Sequence, residues 1–65
     1  MIRIAHDNPP LTRREYEVAE LAAQGLSNRQ IAEQLGRSVR TIDAHVARIF
    51  VKWDIHSRSE LVDRL

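Results

Sequence analysis

The chain has no cysteine among its 65 residues. Disulfides and thiolate metal sites are thereby excluded, and the redox compartment is left open. No apolar run approaches the ~18 residues of a membrane-spanning helix, and no signal-peptide pattern is present. The expectation is a soluble, cytoplasmic protein with no membrane partner. No nucleophile–base pair, phosphate-cradling loop or carboxylate pair stands out, which argues against an enzyme. His45 and His56 lie eleven residues apart with no third ligand in pattern, so no metal and no cofactor is expected. Nothing repeats and nothing is of low complexity. Net charge is only +1, weak support for a nucleic-acid partner.

The charge distribution says more than its sum. Residues 37–58 carry Arg37, Arg40, Arg48, Lys52 and Arg58 against Asp43 and Asp54, a net +3, while the segments on either side are each −1. A charge run is commonly a solvated face, so the local pattern has to decide what this one means. The 43% of apolar residues suffices for one small core. A domain of about 60 residues buries only ~60% of its unfolded surface, so modest stability is expected.

Residues 1–10, MIRIAHDNPP, read as a linker or leader. Ile2 and Ile4 alternate with polar neighbours over too short a run for a strand, and Pro9 and Pro10 keep a helix from running through Asn8. The domain proper is residues 11–65. Thr12-Arg-Arg-Glu15 is a capping box that opens a first helix, with Leu11 placed to staple onto Tyr16. Val18, Leu21 and Ala22 form its inward stripe, and Gly25 supplies the left-handed residue that ends it. Ser27-Asn-Arg-Gln30 opens a short second helix with Ile31, Ala32 and Leu35 inward and Gly36 at its end. Ser38 caps a third. There Ile42, Val46, Ile49, Phe50 and Trp53 make one sustained stripe, and Asp54 is placed to stop the helix in a left-handed conformation. Ser57-Arg-Ser-Glu60 reads as a fourth cap, followed by Leu61, Val62 and Leu65. The expected class is all-α, four helices and no strand.

Ser27 to Trp53 thus reads as short helix, three-residue turn, longer helix. That is a helix-turn-helix, whose second helix enters the DNA major groove. A reading helix needs an outer face without bulky apolar groups, so that its backbone can approach base edges. At ~100° per residue the face opposite the apolar stripe holds Arg40, Ala44, Ala47 and Val51, with Asp43 and Arg48 flanking. Alanine can touch a thymine methyl, and arginine can take two acceptors of guanine. The candidate base-facing residues are Arg40, Ala44, Ala47 and Arg48. Arg37, Ser38, Thr41 and the open N–H groups of the helix start are placed for phosphates. His45 sits at the edge of the apolar stripe and reads either as a packing histidine or as a phosphate contact. Trp53 lies on the inward stripe and reads as core rather than as a base-stacking platform.

Residues 11–62 resemble the DNA-binding domain of the LuxR family, also called the NarL or GerE type. The resemblance rests on the opening LT-x-RE, then QGLSN, IAEQL, S-x-x-T-I-x-x-H-V and finally K-x-x-I-x-S-R-x-E-L, all at fixed spacings. It covers about four fifths of the chain. It implies a four-helix output domain of a bacterial transcription regulator, with the third helix in the major groove and the fourth pairing two copies. Leu61, Val62 and Leu65 are the dimerisation candidates, and a homodimer on double-stranded DNA is expected. A receiver, a small-ligand sensor or an ATPase module upstream is compatible with such a domain.

Where the family often carries lysine, this chain has Asp43, and a further position that is frequently basic holds Ala47. An aspartate beside phosphates costs Coulomb energy, although it can also accept from a cytosine amino group. Asp43 is therefore expected to weaken binding to random DNA. A related helix-turn-helix, the C-terminal domain of sigma factors, would have the same output but lacks the frame from LT-x-RE to S-R-x-E-L. The alternative from another class is a helical protein-interaction module that kept the fold and binds DNA weakly or not at all.

Overall fold

The computed structural model describes residues 10–65. The leader read at residues 1–10 lies outside them, apart from Pro10. Four helices follow in order, α1 Arg13–Ala23, α2 Asn28–Leu35, α3 Val39–Trp53 and α4 Ser59–Arg64. The described residues contain no strand.

Three of the four starts follow the capping chemistry of the sequence. The Thr12 hydroxyl accepts from the Glu15 N–H at 3.1 Å, and Glu15 accepts from the Thr12 N–H at 3.0 Å. Ser27 and Gln30 repeat the arrangement at α2, at 3.1 and 2.9 Å. Ser38 caps α3 by accepting from the Thr41 N–H at 3.1 Å. Each cap satisfies a backbone donor that has no partner inside its helix.

The ends of α1, α2 and α3 share one geometry. In each, two backbone N–H groups fold back onto carbonyls of the last turn: Leu26 to Leu21 and Gly25 to Ala22, Arg37 to Ala32 and Gly36 to Glu33, Ile55 to Phe50 and Asp54 to Val51. This needs a residue at positive φ. Gly25 (φ 99°) and Gly36 (φ 68°) supply it without a Cβ penalty, while Asp54 adopts φ 52° with a side chain.

The fourth cap differs from expectation. The residue before α4 is Arg58, in right-handed helical conformation and with no side-chain cap. The Ser57 hydroxyl instead meets that of Ser59 at 3.0 Å, and Glu60 reaches one residue further back, accepting from the His56 N–H at 2.6 Å. That donor holds the Glu60 carboxyl below its ordinary range. Arg58, at the cap position itself, is engaged in a tertiary contact, its side chain drawn to the start of α2.

Helix α3 lies against both α1 and α2, and α1 also touches α4. Val18, Ala19, Ala22, Ile31, Ala32, Ile42, Ile49, Ile55 and Leu61 are buried between them. Leu21, Leu35, Val46, Phe50 and Trp53 pack on this core while remaining partly exposed, so the stripes foreseen in α1, α2 and α3 face inward. Ala19 and Ile55 are core residues outside those stripes. Ile55 follows the left-handed Asp54, which turns it back under the end of α3. Shortening the fully buried Ile42 to alanine would remove roughly 2–5 kcal/mol, a large share of the ~3–10 kcal/mol that a chain of this length holds.

Candidate nucleic-acid interface

The turn Gly36–Arg37–Ser38 aims α3 across α2. Packing on the Ile42, Val46 and Ile49 side leaves the other side of α3 open. Arg40, Ala44, Ala47 and Arg48 are exposed together, and Val51 extends the same face with 80% of its surface open. The result is a low, small-residue ridge with an arginine at its head and another on its flank.

At the open end of α3, Arg37 and Ser38 are exposed and Thr41 is half-buried. The Ser38 and Thr41 hydroxyls lie 2.9 Å apart and share a hydrogen bond. Val39 and Arg40 are the first two residues of the helix, so their N–H groups have no intrahelical acceptor and face outward from the helix start. An anion fits such a position.

The five cations of residues 37–58 divide into two groups. Lys52 turns inward, and its Nζ lies 2.6 Å from Glu15 Oε1. Glu15 is only 3% exposed. Burial alone would raise its carboxyl pKa, but the Lys52 ammonium and the Thr12 N–H and hydroxyl outweigh that and hold it below 4.5. Arg58 also turns inward: Nη1 donates to Asn28 Oδ1 at 2.7 Å and Nη2 to the Leu26 carbonyl at 2.5 Å. Arg37, Arg40 and Arg48 form no ion pair among the described residues.

Asp43 is exposed on the flank of the ridge that faces α2, and its Oδ1 accepts from Asn28 Nδ2 at 2.7 Å. The carboxylate is thus engaged with the protein, a circumstance the sequence reading of a phosphate-repelling Asp43 did not include. Asn28 and Arg58 were read from the sequence only as parts of cap patterns, motifs and the charge run, not as site residues, and local spacing carries no sign of their contacts, since the partners lie 15 and 30 residues apart. His45 is half-buried, and its Nδ1 is enclosed without a hydrogen-bond partner.

The three apolar candidates on α4 separate. Leu61 is fully buried and belongs to the domain's own core, whereas Val62 is 58% and Leu65 43% exposed. No group of three His, Cys, Asp or Glu residues among those described converges to hold a metal ion. No described helix is long and apolar enough to cross a membrane.

Residues 9–65 match the GerE description, bacterial regulatory proteins of the luxR family. Among curated proteins the chain is 50% identical over 58 residues to the Fimbriae Z protein of Salmonella typhimurium, covering 89% of this chain and 28% of that one. It is 49% identical over 51 residues to Response regulator Rre1 of Synechocystis, covering 78% and 22%. With Oxygen regulatory protein NreC of Staphylococcus haemolyticus it shares 45% over 53 residues, covering 82% and 24%. The chain therefore spans about a quarter of the length of these relatives. With this match over its helical part, and with the four-helix, helix-turn-helix architecture that the match implies, the chain belongs to the luxR family of bacterial regulatory proteins.

Proposed function

We propose that this domain binds double-stranded DNA sequence-specifically, with α3 in the major groove, as the output module of a transcription regulator. Family membership supports the coarser statement, a DNA-binding domain of a transcription regulator. The observation that carries the finer reading is the exposed ridge of Ala44 and Ala47 bounded by Arg40 and Arg48, two arginines that form no ion pair among the described residues. Small side chains let the helix backbone come close to base edges, and the arginines supply donors for guanine or phosphate.

In this reading Arg40, Ala44, Ala47 and Arg48 face bases. Arg37, Ser38, Thr41 and the N–H groups of Val39 and Arg40 hold phosphate. His45 supports the phosphate side from the edge of the core. The domain binds and does not catalyse. It acts in the cytoplasm, where the chromosome is, and it is joined in the whole protein to an upstream receiver or sensory domain, in line with the greater length of its relatives and the name of one of them, a response regulator.

Two copies bind together through Val62 and Leu65 of α4. The physical reason is that one 65-residue module meets few base pairs, and two half-sites about one helical turn apart supply the missing specificity. Selection from a random duplex pool, followed by footprinting and sedimentation of the complex, tests both parts. A symmetric footprint that Val62→Glu abolishes, with circular dichroism unchanged, is the expected result. One protected half-site with one protein per duplex at saturation refutes the pairing.

The second reading, a protein-interaction module, is favoured by the net charge of only +1 and by Ala47 in a position that is often basic. It wins if the pool yields no enriched sequence and affinity does not depend on salt.

A further inference from the structure

Three side chains from distant parts of the chain form a directed hydrogen-bond relay beside the exposed ridge of α3. Arg58 can only donate. The atom of Asn28 that it meets at 2.7 Å is therefore the amide oxygen, which turns the amino group of Asn28 toward Asp43. That amino group can only donate, and it does so to Asp43 Oδ1 at 2.7 Å. A second guanidinium nitrogen on the Leu26 carbonyl, at 2.5 Å, fixes the arginine in turn. The orientation of every member follows from the chemistry of the one before it.

The end of this relay is open. Asp43 stays exposed, and Asn28 engages only its Oδ1, so Oδ2 keeps its acceptor capacity. Its neighbour on the chain is Ala44, on the ridge itself. As the fifth residue of α3, Asp43 stands in the N-terminal part of the helix, the part of a recognition helix that meets base edges. A direct Arg58–Asp43 ion pair would have consumed the charge of the carboxylate. Interposing a neutral amide holds the carboxylate in place without neutralising it. A fixed, exposed acceptor beside an alanine-lined approach suits one feature of the major groove, the exocyclic amino group of cytosine.

We infer that Asp43 is a specificity-determining residue that accepts a hydrogen bond from the N4 amino group of a cytosine, and that Asn28 and Arg58 are the positioning residues that hold it. This rests on the proposal that α3 enters the major groove. It turns the acidic substitution on this helix from a liability toward phosphate into a source of sequence preference.

The test is selection from a randomised duplex pool with the wild-type domain and with Asp43→Ala, Asp43→Asn and Asn28→Ala. The wild type should enrich cytosine at one position of each half-site. Replacing that cytosine by an analogue lacking the 4-amino group should weaken binding about five- to tenfold. Asp43→Ala should bind the two duplexes equally, and its preferences elsewhere in the site should stay. Asp43→Asn keeps an oxygen for Asn28 but turns an amino group, which can only donate, to the base, and should move the preference at that position from cytosine toward thymine, whose O4 acceptor takes the place of the N4 donor. Asn28→Ala should lower the discrimination while leaving the preferred base cytosine, because the carboxylate is present but no longer held.

The inference is overturned if Asp43→Ala leaves the preference at every position unchanged. It is overturned equally if that variant tightens binding to selected and random DNA by the same factor, for then Asp43 only repels phosphate. A wild type that enriches no sequence at all refutes the DNA-reading proposal, and this inference with it. The two failures are told apart by the wild-type selection alone. All the substituted side chains lie at or near the surface, and circular dichroism of each variant confirms that the comparison is between folded domains.

Discussion

Electrostatic binding to DNA should show how few of this domain's cations are available. Each phosphate neutralised by a cation contributes about −0.9 to the slope of log affinity against log salt. All five cations of residues 37–58, on two bound copies, would give a slope of about −9. Lys52 is committed to Glu15 and Arg58 to Asn28 and the Leu26 carbonyl. That leaves Arg37, Arg40 and Arg48, for a slope of at most about −5 if all three meet phosphate, and of about −2 if Arg40 and Arg48 both contact bases. Between about 50 and 200 mM salt the steeper of these corresponds to a loss of affinity of roughly a thousandfold, against more than a hundred-thousandfold for five cations. Fluorescence anisotropy of a labelled duplex over that range gives the slope directly. Arg58→Ala should leave it unchanged, while Arg37→Ala should flatten it by about 0.9 per bound copy. A wild-type slope of about −8 or steeper would mean that Lys52 and Arg58 reach the DNA and would refute the division of the cations. Arg40 separates by comparison: Arg40→Ala should cost roughly 1–3 kcal/mol on the selected site and little on random DNA if it reads a base.

Three further outcomes concern stability. Lys52→Met removes the cation that faces the buried Glu15 carboxylate and should cost about 2–3 kcal/mol in urea unfolding, somewhat below a fully buried pair because the Lys52 side chain is 26% exposed; a loss under about 1 kcal/mol would show that the pair is solvated. The Glu15 carboxyl titrates lower in the folded state than in the unfolded chain, so at acid pH the unfolded chain binds the extra proton. Its contribution is present above the ordinary value of 4.5 and is lost as pH falls through the depressed one. The urea midpoint should drop in that window, and the drop should largely vanish in Glu15→Gln. Asp54→Gly relieves a left-handed residue at φ 52° and should raise stability by about 0.5 kcal/mol, the relief exceeding the added backbone entropy of the unfolded chain; a melting temperature lower than that of the wild type would contradict this account.

Where the sequence reading succeeded, the information was local. The caps at Thr12, Ser27 and Ser38 act within three residues of themselves, and the turn residues Gly25, Gly36 and Asp54 act through their own φ. Where it fell short, the deciding contact came from elsewhere in the chain. The Ser57 cap did not form: Arg58 is held by Asn28, 30 residues away at the start of α2, and Glu60 accepts from the His56 N–H. The apolar residues of α4 looked alike in sequence, yet only Leu61 meets the core, since α4 rests on α1 along one line of contact.

For the interface the same division holds. The helix period alone placed Arg40, Ala44, Ala47 and Val51 opposite the buried stripe, because a helix with one packed side must expose the other. It could not say which charges stay free. Lys52 meets Glu15 across 37 residues, Arg58 meets Asn28 across 30, and Asn28 meets Asp43 across 15. Backbone hydrogen bonding and side-chain periodicity are set by neighbours along the chain, so the sequence by itself determined four helices, the ends of the first three and the open face of α3. The pairing of a charge is set by whatever the fold brings within ~4 Å of it, so only the tertiary structure decided which cations remain for a partner and how Asp43 is held.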